Sequence, residues 1–195
     1  MALVPTSGPA LEPLSLAEAK AHLRVDGTDE DALIGALIST SRLHIEAALS
    51  RGLITQSWSL FRDSWPRQGV VELQLAPLQS VDAVRLYAID GTASAVAASS
   101  YLIDALSVPP RLVRTAPGAW MRPGRAVNGI EIAFTVGYGA TPETVPRQIR
   151  HALLLLVAHW YQNREPVKVA GGGFKPMRIP DTISELLLPY RAVRL

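Results

Sequence analysis

Residues 145–165 read VPRQIRHALLLLVAHWYQNRE, and this segment predicts the central helix of the protein. Pro146 suits a first helical turn because its missing N–H is not needed there, and Glu165–Pro166 marks the end of the helix. The predicted helix, 146–164, is about 28 Å long at the α-helical rise. Its apolar residues recur at helical spacing and widen beyond one stripe, which is typical of a helix packed on several sides. A membrane span is the alternative, but Ala152–Ala158 is far shorter than the ~20 apolar residues required.

Start signals predict two earlier helices. Ser15 and Glu18 have the spacing of a capping box, which opens a short helix near 15–23. A second helix is predicted over 29–50, because an acidic first turn precedes an apolar face at helical spacing. Gly52 then has the position of a C′ residue after the last turn.

The middle of the chain has the alternating apolar and polar pattern of half-buried antiparallel strands. The predicted strands lie at 55–61, 70–75, 81–89, 101–103 and 127–136. The fold class is therefore α+β. We expect a small helical bundle with an inserted antiparallel β-rich subdomain and an extended C-terminal arm that contains a short helix.

The predicted organisation is an N-terminal arm, a single α+β domain and a C-terminal arm. Their boundaries are 1–14, 15–165 and 166–195, with the helical core at 15–52 and 145–165 and the β-rich insertion at 53–140. Three glycines form the predicted hinge of the C-terminal arm, since they impose little backbone preference: Gly171, Gly172 and Gly173. A second capping box at Thr182–Glu185 predicts the short helix.

The C-terminal arm carries too many apolar side chains for a solvated tail. These side chains need a surface to cover, and that surface is either the core of the same subunit or a neighbouring molecule. The predicted partner-binding residues are Phe174, Met177, Ile179, Ile183, Leu186, Leu187, Leu188 and Tyr190.

Composition excludes several kinds of site. The chain has no cysteine, which rules out disulfides, thiolate metal ligands and a cysteine nucleophile, and no secretory signal is visible. The net charge of +2 is too small for the broad basic surface of a dedicated nucleic-acid binder. Residues 1–52 carry four Lys or Arg against seven Asp or Glu, whereas residues 146–195 carry eight against three. The two ends could attract each other within the fold or between subunits, or form ordinary solvated faces.

Catalytic and metal-binding motifs are missing from the sequence. It contains no phosphate loop, nucleophile elbow, HExxH or dinucleotide fingerprint. His151 and His159 are eight residues apart on one helix and diverge by roughly 80°, so we expect no metal site. Ser41 and His44 are helical neighbours for geometric reasons, which favours packing over a nucleophile–base pair. We predict no catalytic residue, no cofactor and no metal.

Several segments, in consistent order along the chain, resemble tailed-phage head–tail connector proteins, also called adaptors, of the prophage or gene transfer agent type. These segments are LSLAEAKAHLRVD (14–26), DEDALIGALISTSRLHIEAALSRGLITQSW (29–58), LQLAPLQSVDAVRLYAIDG (73–91), FTVGYG (134–139), VPRQIRHALLLLVAHWYQNRE (145–165) and IPDTISELLLPYR (179–191).

The resemblance implies a structural role without enzymatic activity. Members of the family form a ring, usually a dodecamer, bound to the portal protein at the head–tail junction. The ring continues the DNA channel, through which DNA passes without specific binding, and provides a docking site for the next connector (stopper) or a tail component. The resemblance also implies assembly in the bacterial cytoplasm, incorporation into a virion or phage-like particle, and no membrane partner. Family C-terminal segments commonly reach toward the portal, which agrees with the apolar arm.

Two other functions are weighed against the adaptor. A DNA-binding packaging accessory is the alternative, because Arg147, Arg150 and Arg164 on the central helix could contact phosphates. A salt bridge to the acidic second helix is the commoner use of such residues. A small hydrolase is the third hypothesis, and no motif supports it.

Overall fold

The computed structural model describes residues 1–163, 167–170, 173–176 and 179–191. Within them the chain forms four α-helices, α1 (Leu16–Leu23), α2 (Asp31–Leu49), α3 (Arg147–Gln162) and α4 (Asp181–Leu187). The strands are β1 (Ala2–Ser7), β2 (Gln56–Arg62), β3 (Val70–Glu72), β4 (Leu78–Tyr87), β5 (Ala93–Ala95), β6 (Tyr101–Asp104), β7 (Arg111–Arg114), β8 (Ile130–Val136), β9 (Val167–Ala170) and β10 (Gly173–Pro176).

Two compact units divide these elements. The sheet unit contains Met1–Ala10 and Ser50–Ala140, and the helical unit contains Leu11–Leu49 and Thr141–Arg191. The three predicted helices of the bundle and the β-rich insertion are all present, so the predicted α+β fold class is confirmed.

Helix α3 is the centre of the helical unit, because it packs against α1, α2 and α4. Its fully buried residues recur at helical spacing, as the sequence predicted, and each large apolar side chain buried this way contributes about 1.5–3 kcal/mol. They are Ile149, Ala152, Leu153, Leu156 and Val157.

Helix α2 supplies the facing surface of the helical core. Its buried apolar residues are Ile34, Ile38, Ile45 and Leu49. By length and composition α2 could also cross a membrane, with 39% of its apolar window buried in the protein. Core helices satisfy the same criteria, and the packing of α2 on α3 is that of a core helix.

The predicted capping box at α1 is confirmed. The Glu18 N–H donates to Ser15 Oγ over 3.1 Å, and the Ser15 N–H donates back to Glu18 Oε2 over 3.0 Å. The bond from the Ser15 N–H lowers the pKa of Glu18, with further lowering from the Ser15 hydroxyl and from Arg150, and these effects outweigh the opposing effect of burial.

This lowered pKa makes the stability of the helical unit pH-dependent. Because the pKa of Glu18 in the folded chain lies below its ordinary value of 4.5, its stabilisation is complete above that value. It is then lost as the pH falls through the lower, folded pKa. We expect Glu18→Gln, which keeps the capping geometry, to lose less unfolding free energy than the wild type during acidification. Urea unfolding at a series of pH values measures this, and parallel curves for the two proteins would contradict it.

The end of α2 differs from the prediction. Ser50, and not Gly52, adopts the left-handed conformation, with φ of 53°. A glycine is needed at 52 for another reason. A Cβ placed there would lie 2.8 Å from Val136 Cγ2 and 3.0 Å from Gln56 Nε2, closer than a side chain tolerates. Gly52 therefore permits a close approach within the sheet unit.

The sheet unit contains a five-stranded and a three-stranded antiparallel sheet. The strand orders are β1-β2-β8-β4-β5 and β3-β7-β6. Phe134 of β8 lies between Trp58 of β2 and Val81 of β4 in the register of the larger sheet. The buried core of this unit comprises Leu60, Val71, Leu73, Leu78, Val84, Leu86, Leu112, Trp120, Ile130, Ile132, Phe134 and Val136.

Three strands of this unit were not predicted: β1, β5 and β7. Strand β5 is a three-residue edge strand that pairs with β4. Strand β1 lies inside the predicted N-terminal arm and pairs with β2 at the edge of the sheet, where Pro5 is tolerated. Strand β7 follows Pro110 and pairs on both sides, with β3 and β6.

The C-terminal part also departs from the prediction. Strands β9 and β10 pair antiparallel where a plain extended arm was expected. The predicted second capping box at Thr182–Glu185 is wrong, because the N-cap of α4 is Pro180, two residues before Thr182, and it makes no side-chain bond. Asp181 in the first turn of α4 is favourable there because a negative charge complements the helix dipole.

Candidate interaction surfaces

The first candidate surface is the predicted partner-binding segment, which the structure divides into a buried and an exposed part. Ile183 and Leu187 are 3% and 5% exposed in the helical unit, where α4 packs against α3. Leu188 is 56% exposed, and the hydroxyl of the half-buried Tyr190 donates to the Gln148 side chain. The segment thus covers its own core with one face and presents Leu188 on another.

The other residues predicted to bind a partner or to form the hinge are only partly described by the structure. Ile179 and Leu186 are half-buried, and Phe174 is the second residue of β10, opposite Val169. Gly173 is the first residue of that strand. Met177, Gly171 and Gly172 lie outside the described residues. Partner binding by this segment and its hinge therefore stay predictions.

The second candidate surface comprises the last residue of β6 and the turn that leads to β7, residues 104–110, which we call the hairpin loop. Its centre is Leu106, whose exposed fraction of 97% leaves the side chain almost without contacts. Other large apolar side chains of the β6–β7 hairpin are also exposed, which is unusual for so short a segment. They are Leu102, Ile103 and Val108.

Asp104 holds the hairpin loop in shape. Its carboxylate accepts hydrogen bonds from the Leu106 and Ser107 N–H groups over 3.2 and 3.1 Å and from Ser107 Oγ over 2.7 Å. Arg111, on the opposite strand, adds bonds from Nε at 3.0 Å and Nη2 at 2.6 Å. The bonds from Ser107 and Arg111 hold the pKa of Asp104 far below its ordinary value. The loop is therefore ordered before anything binds to it.

The third candidate surface is an open groove of about 710 Å³ along α1 and the turn that follows it. Its lining combines apolar and small side chains with three charged ones, of which Lys20 is paired with Asp31. The lining residues are Leu16, Ala17, Lys20, Ala21, Arg24, Val25 and Asp26.

A polar cluster also lies on one face of the larger sheet, around Glu131. Its carboxylate accepts from Ser59 Oγ at 2.9 Å, Tyr87 Oη at 2.7 Å and Arg85 Nη1 at 3.2 Å. Burial raises the pKa of Glu131, but the three donors outweigh burial and hold the pKa below its ordinary value. Every partner is a neighbouring strand residue, so the cluster ties β2, β4 and β8 together.

The candidate catalytic pairs find no support in the geometry. Ser41 Oγ is buried and has no hydrogen-bond partner within the described ranges, so His44 does not activate it. The His44 ring instead contacts Trp160 edge-on, with centroids 5.7 Å apart. In the part of the chain that the structure describes, no group of three or more histidines and carboxylates could hold a metal ion.

The arginines of the central helix are used differently from the prediction. Arg150 pairs with Glu18 of α1, and not with α2 as expected, and its Nε also donates to the Pro13 carbonyl over 3.3 Å. This pair joins the acidic beginning and the basic end of the chain within the fold. Arg147 is exposed, and Arg164 lies outside the described residues. The DNA-binding alternative therefore loses one of its three arginines to a structural role.

Exposed apolar side chains, such as Leu106 and Leu188, are the features of these surfaces that suit contacts with other proteins. Residues 13–105 match the family model of the phage gp6-like head-tail connector protein. A comparison with curated proteins found no match.

Solved structures match the whole chain. A chain from the neck of an empty gene transfer agent (GTA) particle, computed with C6 symmetry, is 28% identical with a TM-score of 0.83. A chain of the native GTA virion is 27% identical with a TM-score of 0.83, and one from the native neck computed with C12 symmetry is 27% identical with a TM-score of 0.81. Each match covers 100% of this chain and 97% of the other. The chain is thus similar over residues 13–105 to phage head–tail connectors and over its whole length to chains of GTA particles, which is the similarity that the sequence resemblance predicted.

Proposed function

We propose that this chain is a head–tail connector that forms a twelve-subunit ring beneath the portal protein, at the head–tail junction of a phage-like particle made in the bacterial cytoplasm. The ring continues the DNA channel and provides the docking site for the next connector or a tail component. The observation that carries the proposal is the full-length similarity to a chain from a neck computed with C12 symmetry.

The charge and surface chemistry support this role. A net charge of +2 suits a channel that DNA passes through without tight binding, since strong binding needs many unneutralised cations. Exposed apolar side chains, among them Leu106 and Leu188, are available for contacts with partners. The proposal includes no enzymatic step.

Electron microscopy of purified particles tests the proposal directly. We expect density for this chain between the portal and the tail, arranged as a ring of twelve. Particles from a strain lacking the chain should contain DNA-filled heads without tails. Tailed particles from that strain, or a neck without density for the chain, would overturn the proposal.

The exposed part of the C-terminal segment is proposed to contact the portal. We expect Leu188→Ser to leave the subunit folded but to release it from the portal, because burying one leucine contributes about 1.5–3 kcal/mol per subunit. The measurement is the amount of the chain in purified heads, together with the fraction of heads that carry tails.

Leu43→Ser is the matched control, since Leu43 on α2 is 58% exposed and Leu188 is 56% exposed. The control should assemble normally. Equal attachment of the two variants would show that Leu188 does not contact the portal, whereas the ring itself would still be visible by microscopy.

A further inference from the structure

Three arginines of the sheet unit have no partner for their charge. Within the described residues, the side chains of Arg67, Arg114 and Arg122 make no hydrogen bond and no ion pair. Arg85 and Arg111 of the same unit, by contrast, each pair with a carboxylate. Two of the three unpaired side chains, at 67 and 122, are exposed, and the third is half-buried. Their charge is therefore available to a binding partner.

One short loop, residues 65–69, lies beside two of these arginines. Arg67 is in the turn of this loop, which the Gly69 N–H closes by donating to the Pro66 carbonyl over 2.9 Å. The Arg114 side chain packs over the same turn, because a Cβ added at Gly69 would lie 3.0 Å from Arg114 Nε. Both arginines therefore belong to one region of the surface.

The same loop also reaches the third arginine. Trp65 Nε1 donates to the carbonyl of Met121, the residue before Arg122, over 2.8 Å. The Trp65 ring packs against that of Trp120, with centroids 4.2 Å apart, which holds the two loops together. Five residues of chain span at most about 18 Å, so the three arginines are attached close to one another. We call these three residues the arginine corner.

Carboxylates do not neutralise the arginine corner. Asp63 is the one carboxylate on the same loop segment, and it accepts from the Asn128 N–H over 2.8 Å. Glu72 lies opposite Arg111, at the other end of the β3–β7 pair. Residues 105–130 contain four arginines and no acidic residue. The corner keeps an excess of positive charge even when Asp63 is counted.

We propose that the arginine corner contacts the phosphates of the duplex DNA that passes through the ring. The inference rests on the proposed function and adds which part of the chain faces the DNA. Arginine donates to phosphate oxygens through its planar guanidinium, and such contacts carry no sequence information. An acidic protein would need carboxylates at matching positions, whereas a duplex presents one charge per about 1.7 Å along its whole axis. Three cations per subunit give a weak contact that lets the DNA move.

The salt dependence of DNA binding by the full chain tests this contact. Fluorescence anisotropy of a labelled duplex measures the affinity between about 50 and 200 mM salt. Three phosphate contacts should lower the affinity about 40-fold over this range, because each contributes a slope of about −0.9 in log affinity against log salt. In the double variant Arg67→Gln, Arg122→Gln one contact remains, and the loss should shrink to about fourfold. Both side chains are exposed, so thermal unfolding should not change.

Arg147→Gln is the matched control, because Arg147 is an exposed arginine of the helical unit. It should keep the salt dependence of the wild type. An unchanged salt dependence in the double variant, or an equal effect of the control, would overturn the proposal. An unchanged salt dependence together with loss of the double variant from particles would assign the corner to an acidic protein instead of DNA.

Photocrosslinking in DNA-filled particles separates this inference from the proposed function. The chain has no cysteine, so Arg122→Cys provides a single thiol for a photoreactive label. A label there should form a protein–DNA adduct. A label at Leu106→Cys, which is exposed in the hairpin loop at the other end of β7, should form none. If the chain forms the ring but the label at 122 gives no adduct, the DNA contact is wrong and the ring stands. If the wild-type chain is missing from the neck, both fall.

Discussion

Replacing Phe134 with alanine is expected to lower the free energy of unfolding of the sheet unit by about 3–5 kcal/mol. Phe134 is fully buried and lies at the middle of the central strand β8, between Trp58 and Val81. Removal of its ring leaves a cavity that strands paired on both sides cannot close. The free energy of unfolding falls by about 1–3 kcal/mol per molar urea, so the urea midpoint of unfolding should fall by at least about 1 M.

Tryptophan fluorescence can follow the unfolding of the sheet unit, which contains Phe134. Trp58, Trp65 and Trp120 belong to the sheet unit and Trp160 to the helical unit, so a Trp160→Phe background reports on the sheet unit. Phe61→Ala is the matched control, because Phe61 lies on β2 but is only half-buried. An equal loss of unfolding free energy in Phe134→Ala and Phe61→Ala would contradict the special role of Phe134 in the core.

The helices could be predicted from the sequence because their signals are local. The apolar spacing of α3 and the Ser15–Glu18 capping box each involve residues within one or two turns, and the structure places both as expected. Strand β8 was predicted for the same reason, since its alternation is continuous over seven residues.

The missed elements depend on partners that are distant in the sequence. Strand β1 contains a proline and is exposed along most of its length, so only its pairing with β2 defines it. Asp104 and Arg111 meet because β6 and β7 pair, and a spacing of seven residues in an unassigned loop gives no sign of that.

The candidate surfaces show the same limit. The sequence marked the C-terminal segment as apolar but gave no means to separate Ile183 and Leu187, which complete the subunit's own core, from the exposed Leu188. Truncation of the whole segment would therefore uncover α3 as well as remove a binding surface. A single change at Leu188 separates the two effects.

The second large effect is expected at Arg42, a buried cation of the helical unit with two carboxylate partners. Its Nε donates to Glu12 Oε2 and its Nη1 to Glu46 Oε2, each over 2.8 Å. Burial lowers the pKa of Arg42, but the bonds and charges of Glu12 and Glu46 outweigh burial and raise it, so the group stays charged. This cluster ties the segment before α1 to helix α2.

Arg42→Leu should lower the free energy of unfolding of the helical unit by about 3 kcal/mol, because it leaves the Glu46 carboxylate buried without its cation. This loss of about 3 kcal/mol is at the low end of the range for broken buried ion pairs. The Glu12 side chain is 31% exposed, so water can solvate its carboxylate when the arginine is absent. Adding Glu46→Leu should recover at least about 1 kcal/mol, as leucine fills the space without a charge.

Arg147→Leu, at an exposed position of α3, is the control and should change the free energy of unfolding by less than about 0.5 kcal/mol. Urea unfolding followed by far-ultraviolet circular dichroism measures all four proteins, and a double variant less stable than Arg42→Leu would show that the uncompensated charge is not the cause.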